Sequence, residues 1–161
     1  MCTQRRIRLL PTEQLLRSEE VIPEHVIEVA HSIQACGYWT DPIRIECSTN
    51  VVMDGHHRLA AAASLSLACV PCAEYSYGEV DVTSRRENYI VDPSSIRSRA
   101  LAANPYPSKT TKHTFPDNPL TRVPIENLRN SLFIDSRVQS ADSIALAGAP
   151  LVIMTPPAPI Q

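Results

Sequence analysis

Asp54-Gly55-His56-His57-Arg58 is the densest run of chemistry-bearing residues in the chain. It follows the apolar Val51-Val52-Met53 and precedes Leu59-Ala60-Ala61, so a strand stops, a glycine turns and a helix starts. N–H groups at a helix start lack intrahelical partners and carry partial positive charge, which suits phosphate. Arg58 adds a planar cation able to hold phosphate oxygens through two hydrogen bonds. His56 and His57 can donate hydrogen bonds or shuttle protons near neutral pH. Asp54 can hold Mg²⁺, which takes carboxylate, phosphate oxygen and water. The same five residues also fit a plain strand-to-helix turn with satisfied histidines. Zinc is a weaker option, because the two adjacent histidines have no matched second pair.

Ser108-Lys109-Thr110-Thr111-Lys112-His113 is the second cluster. Both lysines of the chain are here, and every other side-chain cation of the Lys/Arg type is arginine. Two cations, three hydroxyls and an imidazole make an anion cradle, or else an ordinary solvated surface loop. Pro105, Pro107, Pro116 and Pro119 flank it and limit the entropy lost on ligand binding. A third and weaker candidate is Glu13, in Pro11-Thr12-Glu13-Gln14-Leu15, as a general base for a hydroxyl; a surface or capping glutamate is the plainer reading. Trp39 follows Cys36-Gly37-Tyr38 and reads as core or as the wall of a ligand pocket. Cys69-Val70-Pro71-Cys72 lies in an expected strand rather than at a helix start, so it reads as buried thiols, not a redox motif.

The elements that must carry these residues follow from periodicity. Ile7–Leu10 reads as a strand ending at Pro11, with a turn over 12–16. Val26, Val29, Ala30 and Ile33 repeat at helical spacing, with Pro23 in the first turn and Gly37 at the C-terminal cap. Ile43–Cys47 and Val51–Met53 make a hairpin-like pair around Ser48-Thr49-Asn50. A helix is expected over 57–67, a third strand over 70–75, and a helix over 94–103 capped by Ser94 or Ser95. Five prolines fall within the 21 residues 104–124, which predicts a loop or linker without a regular element. A short helix over 125–132 closes a domain of residues 1–137, and 138–161 reads as a Pro-rich tail.

The 161 residues carry a net charge of −2, which disfavours DNA as a partner. No apolar run is long enough to span a membrane. The five cysteines are odd in number, and the first residues lack an apolar leader, so the expectation is a reduced, cytoplasmic protein.

The segment Val51–Ala61 resembles the ParB/sulfiredoxin-like fold, which places a nucleotide phosphate at this turn. Sulfiredoxins carry a reactive cysteine where His56 stands, and ParB partition proteins a Gly-Glu-Arg-Arg type of turn. The Asp-Gly-His-His-Arg version is similar to that of the free L-serine kinases of this fold. Pro11–Leu15 resembles the loop bearing that family's catalytic glutamate, and Tyr106–Pro119 resembles its substrate-phosphate loop. The resemblance implies an α+β fold, a small mixed sheet with flanking helices. Two departures are visible: the middle region, Tyr75 to Pro107, is shortened, and Asp81–Arg86 stands without tryptophan where the family has an aromatic-rich stretch.

By the same resemblance, ATP or ADP with Mg²⁺ would phosphorylate the hydroxyl of free L-serine or a close analogue. Glu13 would be the base, and Asp54 would bind the metal or position the phosphate. Gly55, His56, His57 and Arg58 would cradle the donor phosphates, with His57 or Arg58 stabilising developing charge. Lys109, Thr110, Thr111, Lys112 and His113 would hold the acceptor, and Trp39 would line its site. The alternative is a ParB-like regulator that senses a nucleotide or amino acid and binds DNA or a partner without turnover.

Overall fold

The computed structural model describes residues 5–130, so the expected tail and the end of the expected last helix lie outside the described residues. The described elements run β1 (Ile7–Pro11), a 3-10 turn (Thr12–Gln14), α1 (Pro23–Cys36), β2 (Tyr38–Trp39), β3 (Ile43–Glu46), β4 (Val52–Asp54), α2 (His56–Ser64) and β5 (Cys69–Tyr75). Then follow β6 (Asp81–Ser84), α3 (Pro93–Leu101), β7 (Thr111–Thr114), β8 (Val123–Pro124) and α4 (Ile125–Leu128). The class is α+β. None of the described helices is long and apolar enough to cross a membrane.

The main sheet has the order β1-β5-β3-β4. β1 and β5 pair antiparallel, β5 and β3 parallel, and β3 and β4 antiparallel. A parallel pair needs a crossover, and α2 supplies it between β3 and β5. β5 is central, which explains why Cys69, Val70, Cys72 and Ala73 are all fully buried. Burial raises the Cys69 thiol to about 11 and pushes Cys72 upward too, so both remain thiols, as their strand position predicts.

The main core lies where α2 packs on the sheet: Leu59 and Ala62 meet Leu9, Ile43, Ile45, Val52 and Val70. A second cluster joins Val51 to Ile96 and Ala100 of α3 and to Tyr106. Gly37 ends α1 in the left-handed region at φ 79°, as expected of a C-terminal cap, and its N–H bonds Ile33 O.

Two expectations need correction, and one strand pair is added. The cap of α3 is Asp92, whose carboxylate accepts the Ser95 N–H at 2.7 Å, while Pro93 fills the first helical position. The stretch 104–124 is not a featureless loop: β7 pairs with β6 from Ser84↔Thr111 to Asp81↔Thr114. Tyr38-Trp39 also forms a strand, paired with Val123-Pro124. These partners are too far apart in sequence for local patterning to reveal them.

Candidate functional site

β4 delivers Asp54 to the sheet edge, and Gly55 turns the chain at φ 108°, ψ 25°. A side chain here would be strained, and a Cβ would lie 3.0 Å from Arg58 Nη2 and 3.3 Å from Ile43 Cγ1. The first bond of α2 runs from Leu59 N to Gly55 O, so the helix leaves the N–H groups of His56, His57 and Arg58 unpaired within it. All four residues of this turn line a cavity of about 660 Å³. That size suits a small-molecule ligand.

The two histidine rings face an unexpected partner. His56 Nε2 lies 3.2 Å from both the Ser18 and Glu19 backbone nitrogens. Two N–H donors require an acceptor, so the ring is neutral with its proton on Nδ1. Ser18 Oγ sits 3.1 Å from the same nitrogen and donates to Val52 O at 2.9 Å. Burial holds the His56 imidazolium down to about 3, so the ring stays an acceptor at neutral pH. His57 Nε2 likewise accepts the Ile22 N–H at 3.0 Å, and its ring meets His25 edge-on at 4.6 Å. Burial, then the charges of His25 and Lys109, lowers its pKa. The pair therefore latches segment 18–22 onto the start of α2. Both Nε2 atoms are therefore spent as acceptors on this loop rather than open to phosphate as expected, while the N–H groups at the start of α2 stay unpaired within the helix.

The latch carries Glu19 into the cavity. Glu19 is 9% exposed, and its Oε1 accepts Thr110 N at 2.7 Å, Thr111 N at 2.6 Å and Thr111 Oγ1 at 3.1 Å. Among the described residues no hydrogen bond falls on Oε2, which leaves that oxygen to act on a ligand. Glu13, the expected base, lies elsewhere. It is exposed in the 3-10 turn, whose Thr12 N–H bonds Ala68 O beyond the far end of α2, and it does not line the cavity. Ser18-Glu19-Glu20 carries no motif, and only its burial against the distant Thr110-Thr111 distinguishes Glu19.

Asp54 Oδ2 accepts Arg44 Nη1 at 2.9 Å and Arg58 Nη2 at 3.3 Å. Arg58 also donates to the carbonyls of Asp41 and Pro42 and lies 3.4 Å from the Asp41 carboxylate. Its guanidinium is thus a brace for the turn rather than the open phosphate clamp expected from sequence. Asp54 Oδ1 takes no hydrogen bond from the described residues, and the side chain is half exposed. One available carboxylate oxygen fits Mg²⁺, which draws its other ligands from phosphate and water. No group of three or more His, Cys, Asp and Glu among the described residues forms a closed metal site.

Strand alternation divides the second cluster. Thr111 and His113 line the cavity, whereas Lys112 between them is exposed on the other face of β7. Thr110 is fully buried, its hydroxyl spent on Pro107 O at 2.6 Å. Lys109 lines the cavity from a left-handed position, φ 57°. His113 Nε2 is 2.9 Å from Tyr77 Oη, and burial holds its pKa down to about 4. Trp39 lines the cavity with its indole N–H fixed on Asp41 O at 2.8 Å. Arg85, within the segment Asp81–Arg86 but not expected as a site residue, lines it too.

The fold has close structural counterparts. SbnI from Staphylococcus aureus, with a C-terminal truncation, matches at TM-score 0.70 and 12% identity over 78% of this chain and 90% of that one. A free serine kinase in complex with AMP matches at TM-score 0.68 and 13% identity over 78% and 95%. This protein has the ParB/sulfiredoxin-like fold. A variant of the free serine kinase with one glutamate changed to alanine, in complex with ADP, shares the same fold at TM-score 0.71 and 11% identity, again over 78% and 95%. In sequence, a ParB-like protein of Sulfolobus acidocaldarius is 40% identical over 57 residues, 35% of this chain. The match spans 29% of that relative's length. No family model matches the sequence. At these identities the ParB/sulfiredoxin-like fold is what is shared.

Proposed function

We propose that this protein transfers a phosphoryl group from ATP or ADP to the side-chain hydroxyl of free L-serine or a close analogue. The reading rests on one observation: Glu19, gripped through Oε1 by three donors, lines the same cavity as the Asp54–Arg58 turn and Lys109. Support for the acceptor comes from the free serine kinases among the structural counterparts, and support for the donor from the AMP and ADP those proteins bind.

Phosphoryl transfer needs positioning and charge neutralisation more than covalent help. The donor phosphates would lie against the free N–H groups of His56, His57 and Arg58, with Lys109 adding charge. Bound at Asp54, Mg²⁺ would neutralise charge on the transferred phosphate. Glu19 Oε2 would take the proton of the acceptor hydroxyl as its oxygen attacks the terminal phosphorus. The bond from phosphorus to the leaving phosphate oxygen breaks, and that oxygen keeps the electron pair. The products would be O-phosphoserine and a nucleotide shorter by one phosphate.

Phosphorus NMR with Mg²⁺ tests the proposal. ATP and ADP are supplied separately against L-serine, L-threonine and L-homoserine. The expected result is a new phosphomonoester signal with one donor and one acceptor. No signal with any pair, together with measurable nucleotide binding, would favour a ParB-like sensor.

A further inference from the structure

Two cavity-lining cations, Arg85 and Lys109, carry no hydrogen bond or ion pair through their side chains among the described residues. Arg58, by contrast, is neutralised by Asp54 and Asp41. Both members of the free pair adjoin Thr110. Lys109 precedes it in the chain, and its charge also reaches the His57 imidazole of the phosphate turn. Arg85 joins Thr110 through the backbone. Its backbone N–H donates to Thr110 O at 2.7 Å, and the N–H of the same Thr110 grips Glu19 at 2.7 Å. One residue, Thr110, therefore separates Arg85 from Glu19.

From this placement we infer that Arg85 holds the α-carboxylate of the acceptor, making the enzyme selective for hydroxy amino acids over amino alcohols. The inference rests on the kinase reading for the place of the hydroxyl at Glu19. In serine, the carboxylate hangs from the carbon next to the one bearing the hydroxyl. A group that binds it must lie close to the base and be long enough to reach beyond it; Arg85 lines the cavity, is joined to Thr110, and has that length. Arginine also matches carboxylate geometry with two parallel hydrogen bonds. The side chain is exposed, so it is free to close on a ligand and contributes little to the core.

Calorimetric binding of O-phosphoserine and O-phosphoethanolamine tests the inference without needing turnover. The ligands differ only in the carboxylate. The wild type should bind O-phosphoserine at least about tenfold more tightly, as expected for a charged hydrogen-bonded pair. Arg85→Ala should erase that difference by weakening O-phosphoserine alone. Lys109→Ala should weaken both ligands alike. A wild type that binds the two equally, or an Arg85→Ala variant that keeps the preference, would overturn the inference. A preference lost in Arg85→Ala but without phosphoryl transfer by the wild type would uphold Arg85 and sink the kinase reading instead.

Discussion

His56 Nε2 accepts the backbone N–H of Glu19 at 3.2 Å, joining the first residue of α2 to the carboxylate that faces the cavity. The first histidine of the motif thus works as an acceptor for a neighbouring loop. In the proposed mechanism, its influence on chemistry runs through where Glu19 sits.

Replacing His56 separates that role from phosphate binding. His56→Ala removes the acceptor for two N–H groups and frees segment 18–22. The maximal rate should fall about a hundredfold, the scale of loss expected from a misplaced catalytic group. His56→Gln offers a carbonyl oxygen to the same donors and should restore most of the rate. Nucleotide affinity should change little in either. A loss of nucleotide affinity with an unchanged maximal rate would return His56 to the phosphate cradle.

Stability should depend on pH through the buried histidines. His56 and His113 have pKa values held down to about 3 and about 4, against an unfolded value of 6.5. Between these limits the unfolded chain binds protons that the folded chain refuses. Stability is therefore full above pH 6.5 and declines as pH falls toward 4 and then 3, by up to about 1.4 kcal/mol per pH unit for each histidine. Urea unfolding from pH 7 to 5 should show the decline, and His56→Gln should flatten it. An equal slope in wild type and variant would contradict the assignment.

Asp54→Asn keeps an oxygen for Arg44 and Arg58 but removes the negative charge. The fold should survive. The Mg²⁺ concentration for half-maximal rate should rise about tenfold or more, because hard cations need the carboxylate. An unchanged metal dependence would remove Asp54 from the metal site.

Gly55→Ala tests the turn itself. The new Cβ would combine a left-handed backbone at φ 108° with a 3.0 Å contact on the Arg58 guanidinium. Unfolding free energy should drop by about 2 kcal/mol. A drop below about 0.5 kcal/mol would show that the brace can yield.

The elements around Gly55 were legible because their signals are local. An apolar strand, one glycine and an alanine-rich run suffice to read β4, the turn and α2. Gly37 and Pro23 mark the ends of α1 in the same way. Glu19 was not legible, because its burial depends on Thr110 and Thr111, far along the chain. Glu13 directly follows the first strand and is conspicuous in the sequence, yet it lies in a 3-10 turn and does not line the cavity. Lys112 is placed outside the cavity for a related reason: a strand sends alternate residues to opposite faces, and β7 becomes a strand only through its pairing with β6.

In the proposed mechanism Glu19, not Glu13, is the base that activates the acceptor hydroxyl. The most direct test is phosphorus NMR of serine phosphorylation by the wild type, Glu19→Gln and Glu13→Gln. Glu19→Gln should lose about a hundredfold or more in turnover while still binding nucleotide, and Glu13→Gln should stay within about twofold of the wild type. Full turnover by Glu19→Gln, or its loss in Glu13→Gln, would remove Glu19 from the role of base.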